Sequence, residues 1–319
     1  MIQDGYDKAN GAPFVVNSPD VDFTFVASKK FIKEIDNAPD SVLSLQAAAK
    51  VVLQPQYSMA RFNWFEQRGI DGTPLPRMLR SLLTNNLPQI LPESRLGSSA
   101  IMDNMHEMKD RPHVSKMIRD AVAHTNALAF FGKELAHNKD FMRDAIDFIE
   151  KTIIIAEVVR LLPTFIAPSC GRLMANYFNA HKVIHETLVP VAEERLAERA
   201  QKKLGHKVPE HKDCIQWVME QSAKTGIWTA ERIIHELMAL WFGSVHSMAM
   251  SVHFAIHDIC LHPEYVQPLR EEFEGPAYKA FESTGNGLPL IDSFLKESAR
   301  LSPLDARKSY STSIPDVFS

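Results

Sequence analysis

Cysteine is scarce in this sequence: Cys170, Cys214 and Cys260 lie far apart among 319 residues. An odd count without close pairing fits reduced thiols in a cytosol-facing protein. Long apolar runs are missing too. No stretch reaches the roughly 18 uninterrupted apolar residues of a membrane-spanning helix, so no transmembrane anchor is expected. The N-terminus, MIQDGYDKANGAPF, lacks a signal-peptide pattern. Basic residues are not in excess, and a net charge of −4 gives no footprint for nucleic acid. No internal repeat and no low-complexity tract occurs. His235-Glu236 begins like a zinc-protease motif, but Ala239 occupies the second histidine position and excludes it.

What is there is a chain with 45% apolar and 23% charged residues, the balance of a soluble globular protein. Its length suffices for a large core, as one domain or two. Residues 14–16 and 23–26, split by Asn17-Ser18-Pro19-Asp20, read as a β-hairpin or paired edge strands. Ser28 predicts an N-cap for a helix to about Ile35. Another helix is expected within residues 41–59, ended early by Pro55. Residues 76–87 read as helical, with Arg77 and Arg80 flanking an apolar side, whereas 94–112 are polar and read as irregular. Helices follow over 114–134, 140–162 and 173–203, the second with Ile146, Ile149, Ile153 and Ile154 as its core stripe. Residues 205–213 read as a polar surface loop. Cys214–Ser222 reads as a short helix ended by Gly226, and Thr229 caps the next. The expected fold is mainly α with a small β element.

Two stretches carry candidate chemistry. Residues 288–303, LPLIDSFLKESARLSP, read as one amphipathic helix, with Leu290, Ile291, Phe294 and Leu295 at helical spacing. Glu297 and Arg300 share a face of it; solvated helices also carry such pairs. Upstream, residues 237–273 form a long apolar helix interrupted by the polar knot Gly243-Ser244-Val245-His246-Ser247, then broken by His262-Pro263-Glu264. Polar groups midway along a buried helix are costly unless they have partners or a task. His246, His253 and His257 fall near one face, and the last two, at i and i+4, could share a metal. No third ligand with clear spacing accompanies them.

The order of a long central helix, a break, a short helix, a linker and a Glu-x-x-Arg helix resembles the cytochrome P-450 family of heme-thiolate monooxygenases. Residues 242–264 are similar to the oxygen-binding helix of fungal members, in particular the ent-kaurene-oxidase-like group, where His-Thr-Thr replaces the usual acid-Thr-Thr. Asn138-Lys139-Asp140-Phe141 and Leu161-Leu162-Pro163 resemble the middle of those chains. The likeness covers most of residues 1–305. It implies that His246 stands at the acid position and Ser247 at the threonine position, both serving proton delivery to dioxygen. It implies a kink at Gly243 that opens a groove beside the iron, Arg80 pairing a heme propionate, and Glu297 with Arg300 fixing architecture beneath the heme. Met248 stands where the fungal pattern has a second hydroxyl, and Ser244 where many members carry glycine.

The same resemblance implies heme as cofactor, a hydrophobic small-molecule substrate of terpenoid or polyketide type, and an NADPH-dependent reductase. The setting it implies is fungal secondary metabolism, intracellular, at the endoplasmic reticulum membrane. In the family the iron-ligand cysteine comes from a glycine-rich loop well beyond the Glu-x-x-Arg helix; none of residues 301–319 is cysteine. The expectation is a partial domain over 1–305, lacking the N-terminal anchor and the cysteine loop, then an aberrant polar tail at 306–319. Such a chain forms no working heme-thiolate centre, and it leaves apolar surface exposed on the long helix and on residues 290–301. A second reading is a heme-free helical small-molecule-binding or interaction protein. A third is a metal-dependent helical protein using His253 and His257.

Overall fold

Helix dominates the computed structural model, which describes residues 2–18, 21–39, 42–59, 78–106, 114–222, 228–302 and 311–312. In chain order the elements are α1 (Ile2–Ala9), β1 (Phe14–Asn17), β2 (Asp22–Phe25), α2 (Lys29–Asp36), β3 (Leu43–Ser44), α3 (Leu45–Leu53) and α4 (Pro55–Ser58). A π-helical turn (Leu79–Leu83) leads into α5 (Thr84–His106), followed by α6 (Val114–Phe131), α7 (Lys133–His137), α8 (Lys139–Arg160) and α9 (Ala167–Phe178). Then come α10 (Ala180–Lys203), α11 (Cys214–Ser222), α12 (Ala230–Leu261), a 3-10 turn (Pro263–Tyr265), α13 (Val266–Glu274), α14 (Pro276–Thr284), α15 (Pro289–Leu301) and β4 (Ser311–Thr312). The chain divides into two compact units: Met1–Glu66 with Glu150–Asn179 and Asp305–Ser319, and Gln67–Ile149 with Ala180–Leu304.

In the first unit β1 and β2 form the expected antiparallel hairpin, with Phe14 opposite Phe25 and their rings stacked 5.3 Å apart. Such cross-strand aromatic pairs are what hold a short ladder together. Ser28 caps α2, its side chain accepting from the Phe31 N–H. Pro55 opens α4 at a position where a missing N–H is no loss, while α3 stops at Gln54, whose φ is 47°. Two residues of the polar tail, Ser311 and Thr312, pair antiparallel with β3. The core joins Ile155 and Val159 to Ala167 and Ala175, with Tyr57 and Phe178 packed against them. Gly171 permits this: a Cβ there would lie 2.8 Å from the Cβ of Tyr57.

The second unit is built on α12. Thr229 caps it, accepting from the Arg232 N–H at 3.2 Å. Ile233, Ile234, Leu237, Met238 and Trp241 are fully buried along it, each contributing about 1.5–3 kcal/mol by removal from water. Helices α6, α10, α11 and α15 pack around this spine. Trp241 donates its indole N–H to the Ala145 carbonyl at 2.9 Å, and its ring lies 5.0 Å from that of Phe131.

Four expectations need correction. Residues 94–106 are helical, part of α5. Their polarity serves packing against α6: the Ser98 and Thr125 hydroxyls meet at 3.3 Å, and Gly97 leaves room for the His124 ring. On α8 the buried stripe is Phe141, Ala145, Phe148, Ile149, Thr152, Ile155 and Val159, whereas Ile153 and Ile154 are exposed. A stripe advancing by three or four residues leaves 153 and 154 on its far side. Residues 173–203 form two helices, because Asn179 adopts a φ of 52° between α9 and α10, a conformation asparagine tolerates. Asp213 ends the polar loop but is buried: it caps α11 through the Gln216 N–H at 2.9 Å and meets Arg195 at 3.4 Å. Gly226 lies outside the described residues.

Candidate functional site

The polar knot does not interrupt α12, which is continuous from Ala230 to Leu261. Its serines turn inward on the helix itself. Ser244 donates to the Trp241 carbonyl at 3.1 Å, Ser247 to the Gly243 carbonyl at 2.5 Å, and Ser251 to the Ser247 carbonyl at 3.1 Å. Back-bonding of this kind lets serine sit mid-helix without an outside partner. Asn126 of α6 also donates to the Ser244 hydroxyl, at 3.3 Å. Val245 is buried, His246 and Ser244 are half-buried, and Gly243, Ser247 and Ser251 are exposed. These last three recur every four residues, so they form one small-residue strip. Among the described residues, no atom outside its own helical turn lies within 4 Å of where a Cβ on Gly243 would stand.

Helix α15 packs against α12 further along, near its C-terminal end. The pin is a pair the sequence did not single out: Ser298, buried, donates to the Asp258 carboxylate at 2.5 Å. A signal existed, since Ser298 continues the apolar stripe of Ile291 and Phe294 where an apolar residue would be expected. Glu272 of α13 clasps the other end of α15, accepting from the amides of Leu290 at 2.9 Å and Ile291 at 2.8 Å. A carboxylate there satisfies orphan amides and meets the positive end of the helix dipole.

Glu297 and Arg300 pair in two contacts, at 2.7 and 2.6 Å, and both are exposed. The Arg300 guanidinium holds the Glu297 carboxyl below the usual glutamate range. Between α12, α13 and α15 lies an apolar groove of about 510 Å³, floored by Ile256 and Ile259 and flanked by Phe273, Ile291 and Phe294. The structure thus brings α12 and α15 together, but His246, Ser247, Glu297 and Arg300 do not line this groove. Ser247 and Asp258 are eleven residues apart on one helix, roughly 16 Å at the α-helical rise. Arg80 sits in the π-helical turn Leu79–Leu83; its side chain, like all of Arg77, is outside the described residues. π-Helical turns often mark functional positions. His257 is exposed and lies 3.7 Å from the Asp258 carboxylate. Among the described residues no three His, Cys, Asp or Glu side chains converge as a metal site requires.

A separate titratable cluster joins α5, α6 and α7. Glu93 accepts from Lys133 at 3.0 Å and lies 3.6 Å from His137, whose ring stands edge-on to that of His124 at 5.3 Å. Burial, then the His137 charge, pushes the His124 pKa down, against a smaller pull from Glu93. A histidine depressed in the fold binds its proton more readily when unfolded. Stability should therefore be full above the ordinary histidine range and fall as pH drops through it. Denaturant melts at pH 8 and pH 5 should show this loss, and His124→Gln should flatten it. An unchanged slope in the variant would remove His124 from the account.

A family model for cytochrome P-450 matches residues 76–309, and the chain belongs to that family. Among its relatives, it is similar to cytochrome P-450 monooxygenase olcJ of Penicillium canescens, 26% identical over 313 residues, covering 95% of this chain and 57% of that protein. It is 27% identical to cytochrome P-450 monooxygenase AN1598 of Emericella nidulans over 315 residues, covering 95% and 57%. With cytochrome P-450 monooxygenase janP of Penicillium janthinellum the identity is 23% over 311 residues, covering 95% and 59%. The chain thus spans less than two-thirds of the length of these relatives.

The intact family carries heme, and the strip at Gly243, Ser247 and Ser251 fits the flat face of a porphyrin: small, exposed and with its hydroxyls engaged internally. The iron ligand does not fit. A thiolate is required on the iron in this family, yet Cys214 is buried with its thiol pushed well up by that burial. Cys260 lies thirteen residues beyond Ser247, roughly 20 Å along the helix. Among the described residues no helix is long and apolar enough to cross a membrane.

Proposed function

We propose that this chain provides the helical part of a heme-dependent monooxygenase that oxidises a hydrophobic small molecule of terpenoid or polyketide type. Dioxygen and electrons from an NADPH-dependent reductase at the endoplasmic reticulum membrane are its co-reactants. The observation that carries the reading is the family match over residues 76–309; the open strip on α12 supports it. In this reading Gly243 leaves room for the porphyrin. Ser247 and His246 stand at its edge, a hydroxyl that can both donate and accept beside an imidazole that can relay protons near neutral pH. Arg80 pairs a propionate from its π-helical turn. Glu297 and Arg300 act on architecture and touch no substrate. Heme supplies the oxygen chemistry in the intact family. In this reading the thiolate comes from a loop beyond the Glu-x-x-Arg helix, which residues 301–319 do not supply, so the chain by itself forms no thiolate-ligated centre. It constitutes a partial domain over 1–305 with a polar tail at 306–319.

Hemin added to the purified chain, then reduced under carbon monoxide, should give no thiolate-type Soret band; such a band would overturn the inactivity of the chain. A chimaera in which the C-terminal part of the Penicillium canescens relative follows Ser302 should gain that band. A folded chimaera that binds no heme would sink the porphyrin role of the strip. The heme-free alternative, a helical small-molecule-binding protein, is favoured by the apolar groove beside Ile256 and Phe294, and predicts that hemin leaves the absorbance of free hemin unchanged in either protein.

A further inference from the structure

We infer that residues 97–106 of α5 form an acid-released arm: a proton on His124 drives them off α6, while Glu93 holds the preceding turns of α5 in place. The two helices meet through the His124 ring. A Cβ at Gly97 would stand 2.5 Å from its Nδ1, so only glycine lets the α5 backbone lie against the imidazole edge. That Nδ1 is buried and has no hydrogen-bond partner among the described residues. The contact therefore suits a neutral ring protonated on Nε2. A second proton would place an N–H without an acceptor, and a full charge, inside the contact, which strongly destabilises it.

Two titratable groups act on the ring, His137 from α7 and Glu93 from α5; α11 and α12, which also pack on α6, bring none to it among the described residues. Glu93 is engaged already. Lys133 donates to one of its oxygens at 3.0 Å, and His137 lies 3.6 Å from the other. A charge on His137 tightens that clasp and repels a charge on His124. Acid thus strengthens the hold on α5 before residue 94 and weakens it beyond. The helix can bend between the two. Gly97-Ser98-Ser99 is a Gly/Ser run of the kind at which helices kink, and Pro92 inside the helix leaves the Pro88 carbonyl without its helical amide. On the near side Arg95 also pairs with Glu282 of α14 at 3.0 Å. On the far side the Ser98 and Thr125 hydroxyls meet at 3.3 Å, a neutral contact that water replaces readily. With the arm in place, burial keeps His124 neutral to a lower pH than usual. With the arm detached, the ring is in water and takes its proton in the ordinary histidine range. Release is therefore absent well above that range and favoured as pH falls through it.

Hydrogen–deuterium exchange of the purified chain at pH 7.5 and pH 5, corrected for the intrinsic pH dependence of exchange, tests this. Residues 97–106 are expected to lose protection by about tenfold or more in acid, while residues 84–93, α6 and α12 keep theirs. His124→Gln cannot take the charge and should keep the arm protected at both pH values. His137→Gln removes the repelling charge and should reduce the acid effect. Gly97→Ala forces ring and arm apart and should leave the arm unprotected at both. Thermal melts establish that each variant is folded, and the wild-type maps decide the case where one is not. Equal protection of the wild-type arm at the two pH values overturns the proposal. So does an acid loss spread evenly over α5, α6 and α12, or an acid release that persists in His124→Gln.

Discussion

Trp241→Ala is expected to destabilise the second unit by about 3–5 kcal/mol, the range for deleting a buried aromatic. The side chain is fully buried and makes the closest ring contact to Phe131, with Phe130 edge-on at 6.1 Å. Its indole N–H is also the bond from the middle of α12 to the first half of α8. Alanine removes ring and donor together and leaves a void that α12, packed on several sides, cannot close. A total stability of about 5–15 kcal/mol is usual for a domain, so the loss consumes much of it. Trp241→Phe isolates the hydrogen bond and should cost nearer 1–2 kcal/mol, mostly bond plus a smaller void. Urea denaturation read by far-ultraviolet circular dichroism separates the two. If alanine cost no more than phenylalanine, the aromatic cluster would not be what secures α12.

Ser298→Ala should cost about 1.5–3 kcal/mol, the worth of a hydrogen bond to a charged group. The Asp258 side chain is only 17% exposed, so water replaces the lost hydroxyl poorly. The loss should be local. Amide exchange should quicken in the C-terminal half of α15, around Glu297 and Arg300, while the first turn stays protected by Glu272. Exchange rates unchanged across Pro289–Leu301 would show that Ser298 and Asp258 are bystanders.

The sequence announced local structure better than assembly. Caps at Ser28 and Thr229, the break at Pro263 and the span of α15 were legible because each depends on a few neighbouring residues. The irregular reading of residues 94–112 failed over 94–106, the part within the described residues, because polarity was equated with solvent, when Ser98 and Gly97 face another helix. The stripe on α8 was misread because runs of isoleucine mask their own phase: Ile149 is buried and Ile153 is not. For the candidate site, family resemblance pointed to Gly243, His246, Ser247, Glu297 and Arg300, and comparison supports the family. Spacing could not reveal Asp258, Ser298 or Glu272, since each acts on a partner at least eighteen positions away. Nor could it show that the serines of α12 would satisfy themselves and keep the helix unbroken.

That self-satisfaction shapes what α12 offers a guest. Ser247 and Ser251 already spend their hydrogens on backbone oxygens, so the strip greets a newcomer as if it were greasy. Rotation about a single Cα–Cβ bond releases either hydroxyl, exchanging one hydrogen bond for another of similar strength. The same atoms can therefore repel or recruit a polar group without any movement of the helix beneath them.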